Sequence, residues 1–249
     1  MLYSIKYIMK KFLILNKKEG ETPLEALNAF RCKYKKYKDI KMTYAGRLDP
    51  MASGVLLVLI DDEVKNKEKY LKMDKEYEFE ILFGFATDTY DILGKVTSSK
   101  VLTNFRIKDL KKNLKYFRGK FRQKYPLYSS KNIKQILVGK KPKATSHWVE
   151  VKKLNFLGLK IIGSRKLLQE IEKRIQKVKG DFRQKEILEI WRANLKGEHS
   201  IFKIASFKIK CGSGMYVRQL AHDLGERLGV PALAYKIKRT KVGKFDKIT

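Results

Sequence analysis

This 249-residue chain has two cysteines, Cys32 and Cys211, and three histidines, His147, His199 and His222. Two cysteines make neither a disulfide framework nor a metal cluster. The histidines share no ligand spacing, so no metal site is expected. No apolar run approaches the roughly 20 residues a membrane-spanning helix requires. The stretch Ile5-Lys6-Tyr7-Ile8-Met9-Lys10-Lys11-Phe12-Leu13-Ile14-Leu15 is basic and apolar. Lysines interrupt it and no small-residue cleavage site follows, which argues against a signal peptide. Acid is scarce as well, with 26 Asp+Glu against 57 Lys+Arg. These shortages point to a cytoplasmic, metal-free protein.

Positive charge is what the chain has in excess. A net charge of +31 repels itself and favours a polyanionic partner. Nucleic acid leads, and an anionic membrane surface is the alternative. Hydrophobic content is 43%, enough for a real core, so wholesale disorder is excluded. The length suits one large domain or two small ones. With no internal repeat and no clear linker, residues 1–249 read as a single domain, with residues 1–10 as an extension it does not need.

Periodicity places the elements. Phe12-Leu13-Ile14-Leu15 predicts a short strand. Thr22-Pro23-Leu24-Glu25 predicts a helix start with Thr22 as cap, Pro23 at the first helical position and Glu25 completing a capping box. Leu24, Leu27 and Phe30 continue at helical spacing. The lysine-rich residues 33–41 read as a solvated face or loop. Val55-Leu56-Leu57-Val58-Leu59-Ile60 reads as a fully buried strand. Tyr77, Phe79, Ile81 and Phe83 alternate with Glu78, Glu80 and Leu82, a half-buried strand. Thr87-Asp88-Thr89-Tyr90-Asp91-Ile92-Leu93-Gly94 reads as a polar turn, and residues 124–143 as a mobile loop. Leu168, Ile171, Ile175 and Val178 predict a helix ended by Gly180, and Ile187, Leu188, Trp191 and Leu195 a second. Ala205, Phe207, Ile209 and Cys211 predict a strand. Past Gly212-Ser213-Gly214, a helix carries Val217, Leu220, Ala221, Leu224 and Leu228 on one face, closed by Gly229. The fold class is therefore α+β, a largely antiparallel central sheet flanked by helices and loops.

Chemistry concentrates at few positions. Asp49 lies in Gly46-Arg47-Leu48-Asp49-Pro50-Met51-Ala52-Ser53-Gly54, a turn just before the buried strand. A lone acid on such a loop is a candidate catalytic group, although on this segment alone a turn residue that bonds its own backbone is the favoured reading. Tyr77 on its pattern alone is a strand aromatic. Arg218 falls among Tyr216, Val217 and Leu220, so partial burial is expected. Asp88 and Asp91 suit turn formation, and no ligand set around them completes a metal site. Cys211 reads as core, without a base partner to activate it, and His222 as structural.

Taken together, several segments resemble the TruB-type tRNA pseudouridine synthases. They are the Asp49 turn, Lys75-Glu76-Tyr77, the Thr87 to Gly94 segment quoted above, Tyr125-Pro126-Leu127-Tyr128-Ser129-Ser130-Lys131, Gly214-Met215-Tyr216-Val217-Arg218 and Tyr235-Lys236-Ile237-Lys238-Arg239. They stand in the family's order across nearly the whole chain. The resemblance implies the pseudouridine synthase fold and conversion of uridine 55 in the TΨC arm of tRNA, without cofactor, by a monomer with no obligatory protein partner. The target base is flipped out, its N1–C1′ bond is cut and it rejoins through C5. By the same resemblance Asp49 is the catalytic carboxylate, and Arg218 is the buried arginine that holds it ionised. Asp91 helps position that arginine. Tyr77 stacks on the base and is a candidate for proton handling at C5. Ile237 is an apolar wall residue, and Tyr44, Tyr216 and Lys131 are substrate-binding positions.

The chain departs from the family pattern in places. Tyr44 stands where His is usual, and a Tyr can also stack. Lys18 stands where Pro is usual in Lys17-Lys18-Glu19-Gly20-Glu21-Thr22. Residues 132–154 match poorly. Many members carry a C-terminal RNA-binding PUA domain, which is expected to be absent here. An rRNA-modifying relative is the alternative reading, and a non-catalytic RNA-binding or chaperone protein is the alternative from charge alone.

Overall fold

Alternating apolar and acidic residues make Lys75–Phe83 a strand with two different faces, and the molecule is built on both. The computed structural model describes residues 8–9, 11–100, 105–129, 131–132, 138–140, 145–197 and 200–246. The strands are β1 (Ile8–Met9), β2 (Phe12–Lys17), β3 (Met42–Tyr44), β4 (Ala52–Ile60), β5 (Lys75–Phe83), β6 (Phe85–Thr87), β7 (Val96–Ser99), β8 (Gly119–Lys124), β9 (Ser146–Gly163), β10 (Ile201–Cys211), β11 (Ala232–Val242) and β12 (Phe245–Asp246). The helices are α1 (Pro23–Lys33), α2 (Lys67–Leu71), α3 (Ile107–Leu114), α4 (Ser164–Ile175), α5 (Gln184–Leu195) and α6 (Val217–Leu228).

One sheet runs β1-β2-β4-β11-β5-β10-β9-β8, with β3 paired to β4 and β12 to β11. Every pairing in it is antiparallel except β4 with β11. The α+β, mostly antiparallel architecture is the one expected. At the parallel contact Arg239 pairs with Gly54. A Cβ on Gly54 would fall 2.1 Å from the Arg239 carbonyl oxygen, and φ there is +107°. Only glycine fits so close a backbone approach.

Period two sends neighbours on β5 to opposite sides. Tyr77, Phe79, Ile81 and Phe83 pack with Phe207 and Ile209 of β10 under Leu110 of α3 and Leu220 of α6. Leu82 faces the other way, into a cluster with Leu167 and Ile171 of α4 and Ile187 and Trp191 of α5. Each such buried aliphatic contributes roughly 1.5–3 kcal/mol of transfer free energy. The Trp191 indole N–H donates to the Ile92 carbonyl at 3.1 Å, so the helical hairpin also grips the loop after β6. A further cluster seats α1 on β2 and β4. The start of α1 is as the sequence predicts: Glu25 N–H donates to Thr22 Oγ1 at 3.2 Å and Thr22 N–H to the Glu25 carboxylate at 2.7 Å.

Several expectations need correction. Helix α4 ends at Ile175, before Val178 and Gly180, although Val178 stays buried. Residues 87–94 do turn, but Thr87, Thr89, Asp91, Ile92 and Leu93 are buried rather than solvated. Their polar groups bond one another and α6, which is what lets a polar sequence sit inside. Within residues 33–41, Tyr37 packs into the α1 cluster. Lys124 ends strand β8 instead of opening a loop, while residues 130, 133–137 and 141–144 lie outside the described residues. So do residues 1–7 and 10; Ile8 and Met9 pair with Leu13 and Phe12 at the sheet edge.

Candidate active site

Asp49 sits in the turn between β3 and β4, where its own carbonyl accepts the Ala52 N–H at 3.0 Å. The turn hands the chain directly to the buried run of β4, so the carboxylate is anchored within three residues of the core. Arg218 lies in the first turn of α6, after Tyr216 in extended conformation. Its Nε donates to Asp49 Oδ2 at 2.8 Å and its Nη2 to Asp49 Oδ1 at 3.2 Å. This is the two-point contact that a planar guanidinium makes with a carboxylate. Arg218 Nη1 donates to the Thr89 carbonyl, and Nη2 also reaches the Tyr128 carbonyl at 3.4 Å.

Asp91 stands behind the arginine, Oδ2 3.6 Å from its Nε. Its Oδ1 accepts from the Thr89 hydroxyl at 2.8 Å and the Leu93 N–H at 2.9 Å. The Arg218 and Asp91 side chains are 5% and 8% exposed, whereas that of Asp49 is 43% exposed. Asp49 is thus the member of the cluster that faces outward. Burial works against the charge of Arg218, but Asp49 and Asp91 outweigh it and raise its pKa above the ordinary arginine value. The Asp91 carboxyl is raised because burial exceeds the opposing pull of Arg218, the Thr89 hydroxyl and the Leu93 N–H.

Tyr77, Leu48, Ala52 and Ile237 share one apolar cluster, which puts the expected wall residue and the expected pocket tyrosine beside the Asp49 turn. Burial pushes the Tyr77 hydroxyl up to about 12. At neutral pH it keeps its proton and is a hydrogen-bond donor. Tyr216 is held by its backbone: Gln123 Nε2 donates to its carbonyl at 3.1 Å and its N–H donates to Gln123 Oε1 at 2.9 Å. Its ring meets Tyr125 and His147 edge-on, and those two stack at 4.0 Å. The Lys131 ammonium lies 4.2 Å from the Tyr125 ring centroid, so Tyr216 and Lys131 belong to one aromatic and cationic group next to Arg218. Tyr44 ends β3 and packs against the α1 cluster, with the Lys67 ammonium 5.8 Å from its ring centroid.

Residues 33–160 match the family model described as TruB family pseudouridylate synthase (N terminal domain). The chain belongs to the TruB family. It is 31% identical over 235 residues to tRNA pseudouridine synthase B of Endomicrobium trichonymphae, covering 94% of this chain and 85% of that one. It is 28% identical over 238 residues to tRNA pseudouridine synthase B of Solibacter usitatus (strain Ellin6076), covering 96% and 68%. Among solved structures it resembles a chain of a Cbf5-Nop10-Gar1 complex at TM-score 0.60 and 19% identity. That match covers 96% of this chain but half of the other, and it shows the shared fold.

Some residues bordering the site stand within the quoted motifs without an assigned role, or outside them. Lys17 is fully buried and donates to the carbonyls of Lys18 at 2.9 Å, Pro50 at 3.3 Å and Ala52 at 2.5 Å. Arg239, Gln123, Tyr128 and Arg183 also border the site. For Lys17 and Arg239 a signal existed: each falls in phase with the buried positions of its strand, after Leu13 and Leu15 in one case and Tyr235 and Ile237 in the other. A cation on a buried phase needs internal partners. Cys211 is buried with its thiol pushed up to about 12 by desolvation, in keeping with a core role. His222 stacks on Tyr90 at 4.1 Å. Among the described residues no helix is long and apolar enough to cross a membrane.

Proposed function

We propose that this TruB-family chain converts uridine to pseudouridine in tRNA, at position 55 of the TΨC arm. The observation that carries the reading is the outward-facing Asp49 carboxylate, gripped at two points by Arg218 beside Tyr77 and Ile237. The N1–C1′ bond of the target breaks, the uracil turns, and a C5–C1′ bond forms. C5 gives up its proton and N1 takes one up, so the reaction is an isomerisation with no redox step. Asp49 serves as nucleophile or charge stabiliser at the reacting centre. Arg218 holds it in place with a fixed positive charge, and Asp91 holds Arg218. Tyr77 stacks on the flipped base, and its hydroxyl relays the proton that C5 releases. Extruding the uridine costs a few kcal/mol. Phosphate contacts by the basic surface offset that cost and make binding salt-dependent. The working form is a monomer in the cytoplasm that needs no protein partner.

The test is to incubate an unmodified tRNA transcript with the purified chain and map pseudouridine at single-nucleotide resolution. One modified position, 55, is expected, with none from Asp49→Asn. Modification of an rRNA fragment but not of tRNA would move the substrate to rRNA. Binding without any pseudouridine would leave an RNA-binding protein.

A further inference from the structure

Arg239 is 1% exposed, and among the described residues no carboxylate lies within ion-pair distance of it. A guanidinium buried without a counter-charge is costly, so its partners are informative. Nε donates to the Val55 carbonyl at 2.8 Å, Nη1 to the Arg47 carbonyl at 3.3 Å and Nη2 to the Gly46 carbonyl at 3.2 Å. Those carbonyls bracket Asp49 on both sides. Burial dominates the Tyr77 hydroxyl, and the nearby Arg239 charge pulls its pKa the other way. Strand register places the residue between the two: β11 lies between β4 and β5, with Arg239 opposite Gly54 on one side and Tyr77 on the other. The missing Cβ of Gly54 lets the two backbones close to the distance this reach requires.

We propose that Arg239 is a positioning residue for the reaction, fixing the loop that carries Asp49 against the strand that carries Tyr77. The role rests on the function proposed above. Asp49 reaches the site on a loop and Tyr77 on a strand, and β11, paired with that strand, supplies the side chain that holds the loop. Arg218 fixes the carboxylate itself; Arg239 fixes the backbone under it. Its donor fork matters as well as its charge. A lysine there keeps the charge but has no planar set of donors to hold three carbonyls together. A displacement of about 1 Å at a reacting group costs on the order of 100-fold in rate.

The test compares wild type with Arg239→Lys and Arg239→Gln, each alone and combined with Tyr77→Phe. Folding is read by circular dichroism, tRNA affinity by filter binding and chemistry by single-turnover rate at saturating tRNA. Arg239→Lys is expected to fold, to bind tRNA within threefold of wild type and to lose about 100-fold in rate. In the Tyr77→Phe background the same change should cost at least fivefold less, because the two residues are strand partners and part of its effect passes through Tyr77. A rate within threefold of wild type in a folded Arg239→Lys protein would overturn the proposal. Equal losses in both backgrounds would remove the link to Tyr77 and overturn it too. If neither variant folds, Arg239 is assigned to folding alone, which also overturns it. An inactive wild type would sink the proposed function and this role together, whereas active wild type with equally active variants would sink only this role.

Discussion

The Arg183 guanidinium lies 4.8 Å from the centroid of the Tyr128 ring and donates to the Tyr128 hydroxyl at 3.1 Å. Tyr128 in turn offers its carbonyl to Arg218 at 3.4 Å. Arg183 also pairs with Asp88 at 2.8 Å. The turn before α5 is thereby joined to the arginine that grips Asp49, although α4 and α5 cover the opposite face of the sheet. Arg183 takes a left-handed backbone, φ +64°, which costs a non-glycine residue roughly 1–2 kcal/mol.

That backbone separates contact from strain. Arg183→Ala loses the ring contact and the ion pair and keeps the strain; Arg183→Gly loses the same contacts and relieves it. The glycine variant should therefore be the more stable of the two by about 1 kcal/mol. Both should slow turnover by a similar few-fold factor. Urea melts and single-turnover rates measure the two effects. An alanine variant as stable as the glycine variant would mean that the strain is relaxed by its surroundings.

Asp49→Asn should abolish isomerisation and leave tRNA affinity within a few-fold of wild type. The shape is kept, but the charge goes, and one Arg218 donor then faces an amide N–H2 instead of an oxygen. Measurable pseudouridine from a homogeneous Asp49→Asn preparation would remove Asp49 from the mechanism.

Arg218→Lys should cost at least 100-fold in rate at saturating tRNA, an order of magnitude in keeping with the loss of fixed geometry. One ammonium cannot hold two Asp49 oxygens together with the Thr89 and Tyr128 carbonyls. Retention of more than a tenth of the wild-type rate would show that Arg218 acts by charge alone.

Lys131→Gln should weaken tRNA binding and flatten its salt dependence by about one unit of log–log slope if the ammonium meets a phosphate. Titrations at several salt concentrations read the slope, and an unchanged value would confine Lys131 to its contact with Tyr125.

Local pattern made much of the scaffold legible. The capping box at Thr22 and Glu25, the apolar run of β4, the alternation of β5 and the Gly229 end of α6 are each written within a dozen residues. The 18-residue strand β9 was not visible. It carries exposed Trp148, Leu157 and Ile161, so it does not alternate cleanly. The site is a different matter. Arg218 and Asp49 are 169 positions apart, and no periodicity announces such a meeting; only the resemblance of whole motifs brought them together. Asp91 read as a turn former because its donors, Thr89 and Leu93, are local. What makes it part of the site is the burial of Arg218 against it, which is a tertiary fact. Lys17 and Arg239 are hard to read as buried because cations on a strand usually mark its solvated face.

Lys17 supplies a pH test of the loop that carries Asp49. Desolvation lowers its pKa from 10.5 to about 8, against the opposing charges of Glu21, Asp49 and Glu19. Between those two values the unfolded chain binds the proton more tightly than the folded one. Stability contributed by this group therefore rises as pH climbs from about 8 to 10.5, by up to about 3 kcal/mol at 1.36 kcal/mol per unit. Lys75, also lowered to about 8 by desolvation, titrates in the same window and stays in both proteins compared. Lys17→Met removes only the Lys17 share. Urea melts of wild type and Lys17→Met at intervals from pH 7 to 10 should show the wild type gaining on the variant as pH rises. The neutral amine still donates to the Pro50 and Ala52 carbonyls that follow Asp49, so the loop keeps its anchor while the penalty of the buried charge disappears. Parallel stability curves for the two proteins would show that Lys17 is charged, or neutral, throughout the range.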